Sequence, residues 1–544
     1  VSEFVNVAEL VRAQALRAPG QAALLEPADA GWRATTFAQF ERRIDLLAHA
    51  TRRAGVRRGD RVLVLVRPGA EWAALLFALF RVGAVPALID PAMGLAGMLA
   101  CVERLAPRGF VGTAAASLLT LVFRRAFRSI EVSLTTARFA PGATPLSRLV
   151  DSDRDGVFEP APTFSDDPAA ILFTSGSTGP AKGVVYTHGM CCAQTAALRE
   201  LYGMREGEVD VACFAPFALF GPALGLTTVL PRIDFSKPAR ARPEEVVRAI
   251  REHDAVQCFG SPAIWRRVAP WCAQRGVKLD GLKRLMIAGA PVHPSLVEEC
   301  RGMLPDGDVH TPYGATEALP VSSASGREIL EVRERTARGA GNFVGRPAPN
   351  CEVRVIAISD EPVATWSDEL LVKPGELGEL VVSGPQVTRE YASEPIATAA
   401  SKIRDGGRVW HRMGDLVRID EGGAIWFVGR KAHRLETEHG VFGPVGVENV
   451  FRSHAALSRC ALVGVGERGR EQPVLVVEPY PERWPAEDGA RRRLTDEIRA
   501  AGASHPLGAH VEHVLFRRAL PVDVRHNAKI DRGELKRWAQ EQLA

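Results

Sequence analysis

At 544 residues and 58.8 kDa, with 46% hydrophobic and 24% charged side chains, the chain can bury a large core and is long enough for more than one domain. Its 68 basic and 64 acidic residues leave a net charge of +4, too balanced for an electrostatic nucleic-acid binder. The nine cysteines are scattered without a Cys-x-x-Cys pair, which argues against a zinc site and against a secreted disulfide framework.

Val1 opens the chain without a basic-then-apolar leader, and the absent Met points to a start further upstream; a cytoplasmic setting is expected. Thr36-Phe37-Ala38-Gln39 has the capping-box form, and Phe37, Phe40, Ile44 and Leu47 recur at helical spacing up to Gly55, predicting a helix. Residues 61–66 form a near-continuous apolar strand of the kind buried in parallel sheets. The most apolar stretch, 72–89, is broken by Arg81 and Pro86, which predicts a buried helix followed by a strand rather than a membrane span.

The stretch 171–188 is organised differently. Ile171-Leu172-Phe173 leads into Thr174, Ser175, Gly176, Ser177, Thr178, Gly179, Pro180, Ala181, Lys182 and Gly183, and an apolar run resumes at Val184. This reads as strand, loop, strand. Glycines let backbone N–H groups approach anionic oxygens, the hydroxyls add neutral donors, and Lys182 adds a charge, so the loop suits a polyphosphate. It is not a Walker A loop, because Ala181 precedes the lysine and Gly183 follows it.

Strands are predicted at 209–216, 255–260 and 285–288, with helices at 243–253 and from Ser261-Pro262 onward; this alternation implies a doubly wound α/β architecture. From Cys351 short strands at 353–358, 378–382 and 424–428 predict a β-rich subdomain. Beyond Gly429-Arg430, segments at 445–454, 460–465, 474–477, 491–500 and 513–516 predict a compact α+β domain. The expected division is 1–429 and 430–544.

The loop at 174–183 resembles the phosphate loop of the adenylate-forming superfamily of acyl-CoA synthetases, luciferases and adenylation domains, with Pro180 and Ala181 in swapped order. That resemblance implies a large N-terminal domain of layered α/β sheets and a small mobile C-terminal lid, with ATP and Mg2+ as cofactors. Tyr313-Gly314-Ala315-Thr316-Glu317 matches a second family motif. By that resemblance Tyr313 stacks on adenine, Thr316 contacts the α-phosphate and Glu317 binds magnesium; an aromatic plane, a hydroxyl and a hard carboxylate suit those tasks. Gly289-Ala290-Pro291 resembles the segment lying along the adenine. Trp410 to Leu416 resembles the motif whose aspartate, Asp415, grips the ribose hydroxyls, with Arg430 reaching the ribose from the end of the large domain. Lys431-Ala432-His433-Arg434 departs from the family's acidic or lysine pivot at Ala432.

The stretch 520–532 resembles the last family motif, with two extra residues before Lys529, whose implied role is to bridge carboxylate and α-phosphate during adenylation. Only nine of the 68 basic residues are lysine, so lysine at both 182 and 529 points to a need for a compact ammonium. Phe214 to Gly225 is apolar and aromatic and lacks the histidine many relatives carry, favouring a long alkyl cargo. Together, Ala218 to Pro222, Tyr313 to Pro320 and Arg525 to Lys529 resemble the β-lactone synthetases of bacterial olefin biosynthesis. That implies a long-chain 2-alkyl-3-hydroxy acid as substrate, adenylation, attack by the substrate's own 3-hydroxyl, and assembly with other enzymes of the pathway. A long-chain acyl-CoA synthetase shares these motifs and is the alternative.

Overall fold

The computed structural model describes residues 4–90, 93–174, 181–522 and 530–544, with Thr174 by its backbone. Two large mixed sheets carry the first part of the chain. The first has seven strands in the order Thr144–Pro145, Val132–Thr135, Gly109–Gly112, Arg61–Leu65, Val85–Leu88, Pro168–Thr174 and Lys182–Thr187. Neighbours are parallel except the last pair. The strand Arg61–Leu65 shows why its sequence is continuously apolar: Val62 and Val64 enter one core and Leu63 the core on the opposite face.

The second sheet has nine strands, with Asp308–Ala315, Arg284–Ile287, Gln257–Gly260, Val209–Ala212, Thr227–Val229 and Ala22–Pro27 parallel in its centre and antiparallel strands at both edges. The strand at 209 is shorter than expected. Cys213 still donates to Phe259 O, but the Phe214 carbonyl accepts from Phe217 N and turns the chain into the helix Phe217–Leu224. The antiparallel strand Ala318–Ser325 was not anticipated from the sequence.

Helix Phe37–Arg53 starts at the expected capping box: Thr36 Oγ1 accepts from Gln39 N at 3.2 Å, and Thr36 N donates to Gln39 Oε1 at 3.0 Å. It packs on helix Ala70–Val82, where the fully buried Arg81 pairs with Asp45 at 2.6 Å and Glu41 at 2.9 Å. The pairing makes a charge tolerable inside an apolar helix. Among the described residues no helix is long and apolar enough to cross a membrane.

A six-stranded sheet built from Glu352–Ile356, Gly378–Ser383, Lys402–Asp405, Arg408–Ile419, Ile425–Arg430 and Asn342–Phe343 forms the β-rich part. The C-terminal region has its own sheet, Leu457–Val465, Gln472–Pro479 and His513–Phe516, flanked by helices Pro444–Phe451, Asp488–Ala503 and Arg532–Leu543. Among the described residues its polar contacts with the rest include Asn449 Nδ2 to Asn342 Oδ1 at 3.0 Å, a 2.8 Å contact between His505 Nε2 and Arg338 O, Lys431 to Glu379 at 2.9 Å, and Arg434 and Arg468 each 2.6 Å from Asp360. The two guanidiniums hold the Asp360 carboxyl at about 2.

Candidate active site

Three of the motifs lie at carboxyl ends of strands, where open α/β sheets bind ligands. Thr174 closes Pro168–Thr174 and pairs across the antiparallel ladder with Lys182, which opens the next strand. Residues 175–180 and 523–529, and with them Ser175, Gly176, Ser177, Thr178, Gly179 and Lys529, lie outside the described residues. Gly289, Ala290 and Pro291 follow Arg284–Ile287; Gly289 has a φ of +93°, a conformation glycine adopts without strain.

Tyr313 and Gly314 end the strand Asp308–Ala315, and Thr316 and Glu317 are the two turn residues joining it to Ala318–Ser325. Gly314 is required by sterics, since a Cβ there would lie 2.5 Å from the Ala318 carbonyl oxygen. The turn is held from both sides. Tyr186 Oη donates to Thr316 O at 2.7 Å, Thr388 donates to Glu317 O from its backbone N at 2.9 Å and its hydroxyl at 3.1 Å, and Tyr391 Oη donates to Glu317 Oε1 at 2.7 Å.

Asp415 sits within the strand Arg408–Ile419 and is 3% exposed. Its Oδ2 accepts from Tyr313 Oη at 2.5 Å, and its Oδ1 lies 2.8 Å from Arg430 Nη1 without an aligned hydrogen bond. Burial raises the carboxyl, and the Arg430 charge and the Tyr313 donor oppose that shift. One carboxylate oxygen therefore retains accepting capacity.

Lys182, Gly289, Ala290, Pro291, Tyr313, Gly314, Thr316, Glu317, Asp415 and Arg430 all line one cleft of about 1820 Å³. The same cleft is walled by Phe214, Phe217, Phe220 and Phe259, with Phe217 stacked on Phe259 at 3.7 Å, and by Trp72, Leu76, Phe77 and Phe80 from helix Ala70–Val82.

The structure adds Tyr391, Lys402 and Glu379, which the motifs did not name. Lys182 Nζ lies 5.1 Å from the centre of the Tyr391 ring, and Lys402 Nζ lies 5.7 Å from it. Lys402 is buried and donates to Thr388 O at 2.6 Å and to Thr388 Oγ1 at 3.0 Å. Burial lowers its ammonium to about 7, against the pull of Glu317. Burial and the Lys402 charge also push His411 down, so its imidazole is neutral; its Nδ1 lies 3.2 Å from Ser401 O. Lysine scarcity was the available signal for Lys402, one of only nine. At the start of the C-terminal region, Lys431 reaches the buried Glu379 at 2.9 Å, which also binds Arg412 at 2.6 Å.

A family model matches the part of the chain that carries the aromatic Tyr313 and the turn carboxylate Glu317. The AMP-binding enzyme model covers residues 11–392. The chain belongs to that family. It is 43% identical over 513 residues to the olefin β-lactone synthetase of Stenotrophomonas maltophilia, covering 93% of this chain and 91% of the relative. It is 30% identical over 519 residues to the feruloyl-CoA synthase of an Amycolatopsis species, covering 93% of this chain and 94% of the relative. Among solved structures, the o-succinylbenzoate coenzyme A synthetase of Bacillus subtilis in complex with ATP and magnesium ion superposes with a TM-score of 0.74 at 20% identity, covering 97% of this chain and 99% of that one. The shared fold is that of adenylate-forming enzymes, and the chain is an AMP-forming ligase.

Proposed function

We propose that the chain converts a long-chain 2-alkyl-3-hydroxy acid and ATP to a β-lactone, AMP and pyrophosphate. The observation that carries this reading is the continuity of the cleft: the polar cluster and the aromatic walls share about 1820 Å³, above the roughly 300–1,000 Å³ of ordinary ligand pockets. A nucleotide and a large apolar acid therefore have room side by side. The likeness to an olefin β-lactone synthetase at 43%, against 30% for a coenzyme A ligase, supports lactone as the product.

In the first half-reaction Tyr313 and the backbone of Gly289-Ala290-Pro291 receive the adenine, and Asp415 with Arg430 receives the ribose. Thr316 faces the α-phosphate, and Lys182 with the loop from Thr174 to Gly179 receives the outer phosphates. A carboxylate beside the phosphate position fits magnesium, which is commonly held by one or two carboxylates plus substrate phosphates; Glu317, oriented by Tyr391, is that carboxylate. Magnesium, when bound, supplies neutralisation of phosphate charge. Lys529 supplies a cation between carboxylate and α-phosphate, which stabilises charge developing as a carboxylate oxygen bonds to phosphorus and pyrophosphate leaves.

In the second half-reaction the 3-hydroxyl oxygen attacks the acyl carbon, the bond from that carbon to the phosphate oxygen breaks, and AMP departs with the electron pair while the hydroxyl proton is released. Tethering gives this nucleophile a high effective molarity. Residues 430–544 act as the lid, pivoting about Lys431-Ala432-His433. Incubation of the protein with ATP, magnesium and the hydroxy acid, with coenzyme A omitted, tests the reading by mass spectrometry. A product equal to the acid less one water supports it, and turnover only when coenzyme A is added overturns it.

A further inference from the structure

Helix His188–Tyr202 presents Cys191, Gln194, Thr195, Leu198 and Tyr202 to the cleft, a single stripe at helical spacing. Gln194 is the anomaly in that stripe. It is 1% exposed, and neither its Oε1 nor its Nε2 has a hydrogen-bond partner among the described residues. The hydroxyls of Thr195 and Tyr186 have given their protons elsewhere. The Thr195 hydroxyl donates to Cys191 O at 2.9 Å and the Tyr186 hydroxyl donates to Thr316 O, so neither proton is left for Gln194 Oε1; the Tyr186 oxygen faces the amide Nε2 without an aligned hydrogen bond. Buried amides with both ends unpaired are destabilising and rare, so one that lines a cleft calls for a partner in the ligand.

Tyr186 links this amide to the Thr316-Glu317 turn, which places it beside the position where the activated carboxyl must sit. A carboxylate only accepts hydrogen bonds and would leave Oε1 unpaired. A secondary alcohol donates one and accepts another, matching both ends of the amide. We infer that Gln194 is the residue that binds the 3-hydroxyl of the acid, its Oε1 accepting from the hydroxyl and its Nε2 donating to the hydroxyl oxygen. Gln194 thereby selects hydroxy acids and orients the oxygen toward the acyl carbon. The inference rests on the proposed substrate but not on the proposed product.

The test compares pyrophosphate release from the 3-hydroxy acid and from its 3-deoxy analogue, in the full-length wild-type protein and in Gln194→Met. The wild type is expected to prefer the hydroxy acid in kcat/KM by about tenfold or more. Gln194→Met is expected to lose that preference by slowing on the hydroxy acid alone, with a thermal midpoint equal to or above wild type because an unpaired amide has been replaced by an apolar chain. Equal loss on both acids, or an unchanged preference, would overturn the assignment. Pyrophosphate release does not require ring closure, so a wild type that makes no lactone yet shows the preference, lost in Gln194→Met, would refute the product and keep the role of Gln194.

Discussion

The Tyr313 hydroxyl donates to Asp415 Oδ2 at 2.5 Å, joining two motifs 102 residues apart. One lies at the carboxyl end of a strand of the nine-stranded sheet and the other in the six-stranded sheet, so the bond fixes the two sheets against each other at the nucleotide position. Tyr313 thus has two tasks, a face for the base and a donor that orients the carboxylate meant for the ribose. Tyr313→Phe is expected to keep the ring and lose the donor, raising KM for ATP about three- to tenfold, as one hydrogen bond of about 1 kcal/mol implies. Asp415→Asn should cost more, since it also removes the partner of Arg430. Steady-state pyrophosphate assays at varied ATP check both, and unchanged KM in both variants would remove Asp415 from the ribose site.

Glu317 offers a similar split. Glu317→Gln is expected to abolish pyrophosphate release while the protein stays folded, because an amide is a poorer magnesium ligand than a carboxylate. Tyr391→Phe removes only the donor to Glu317 Oε1, so the apparent magnesium requirement should rise several-fold with kcat recovered at saturating metal. Retention of most activity by Glu317→Gln at saturating magnesium would rule out the metal role.

Lys529→Ala is expected to lose acyl-adenylate formation by several orders of magnitude yet still turn a supplied acyl adenylate into product, since ring closure needs no cation at the pyrophosphate bond. Rapid-quench measurement of each half-reaction separates the two. Equal loss in both would make Lys529 structural or shared.

Lys402 predicts a pH signature. Its ammonium titrates at about 7 in the folded protein and at 10.5 when exposed, because burial disfavours the charge. Between those values the unfolded chain holds the proton and the folded chain does not, so stability rises with pH; below about 7 both states are protonated and the burial penalty is fully present. Lys402→Met removes this dependence. The stability of the variant relative to wild type should therefore fall by roughly 1–2 kcal/mol between pH 6.5 and 8.5. Thermal unfolding at the two pH values reads it, and parallel pH profiles for both proteins would show that Lys402 keeps its charge.

The elements that were legible have local signals: the Thr36–Gln39 box, the apolar run at 61–66, and the apolar runs that flank residues 174–183; helices such as Gly94–Leu105 and His188–Tyr202 were not legible. The strand Arg408–Ile419 was not, since residues 410–413 are all buried and a strand covered on both faces loses its two-residue alternation. Tyr391 and Lys402 have no local signature, because their importance comes from what folds against Glu317 and Thr388. Gln194 has one. It holds a core position of helix His188–Tyr202, between Met190 and Ala197–Leu198, where an apolar residue is the expectation.

The central claim is that the carboxylate is activated and the substrate's own hydroxyl closes the ring, and oxygen labelling reads both events at once. With both carboxylate oxygens labelled, one label is expected in AMP and one in the lactone carbonyl. With only the 3-hydroxyl labelled, the lactone should keep the label in its ring and AMP should carry none, even with millimolar coenzyme A present. A coenzyme A thioester as the main product, or label from the 3-hydroxyl appearing in AMP, would contradict the account.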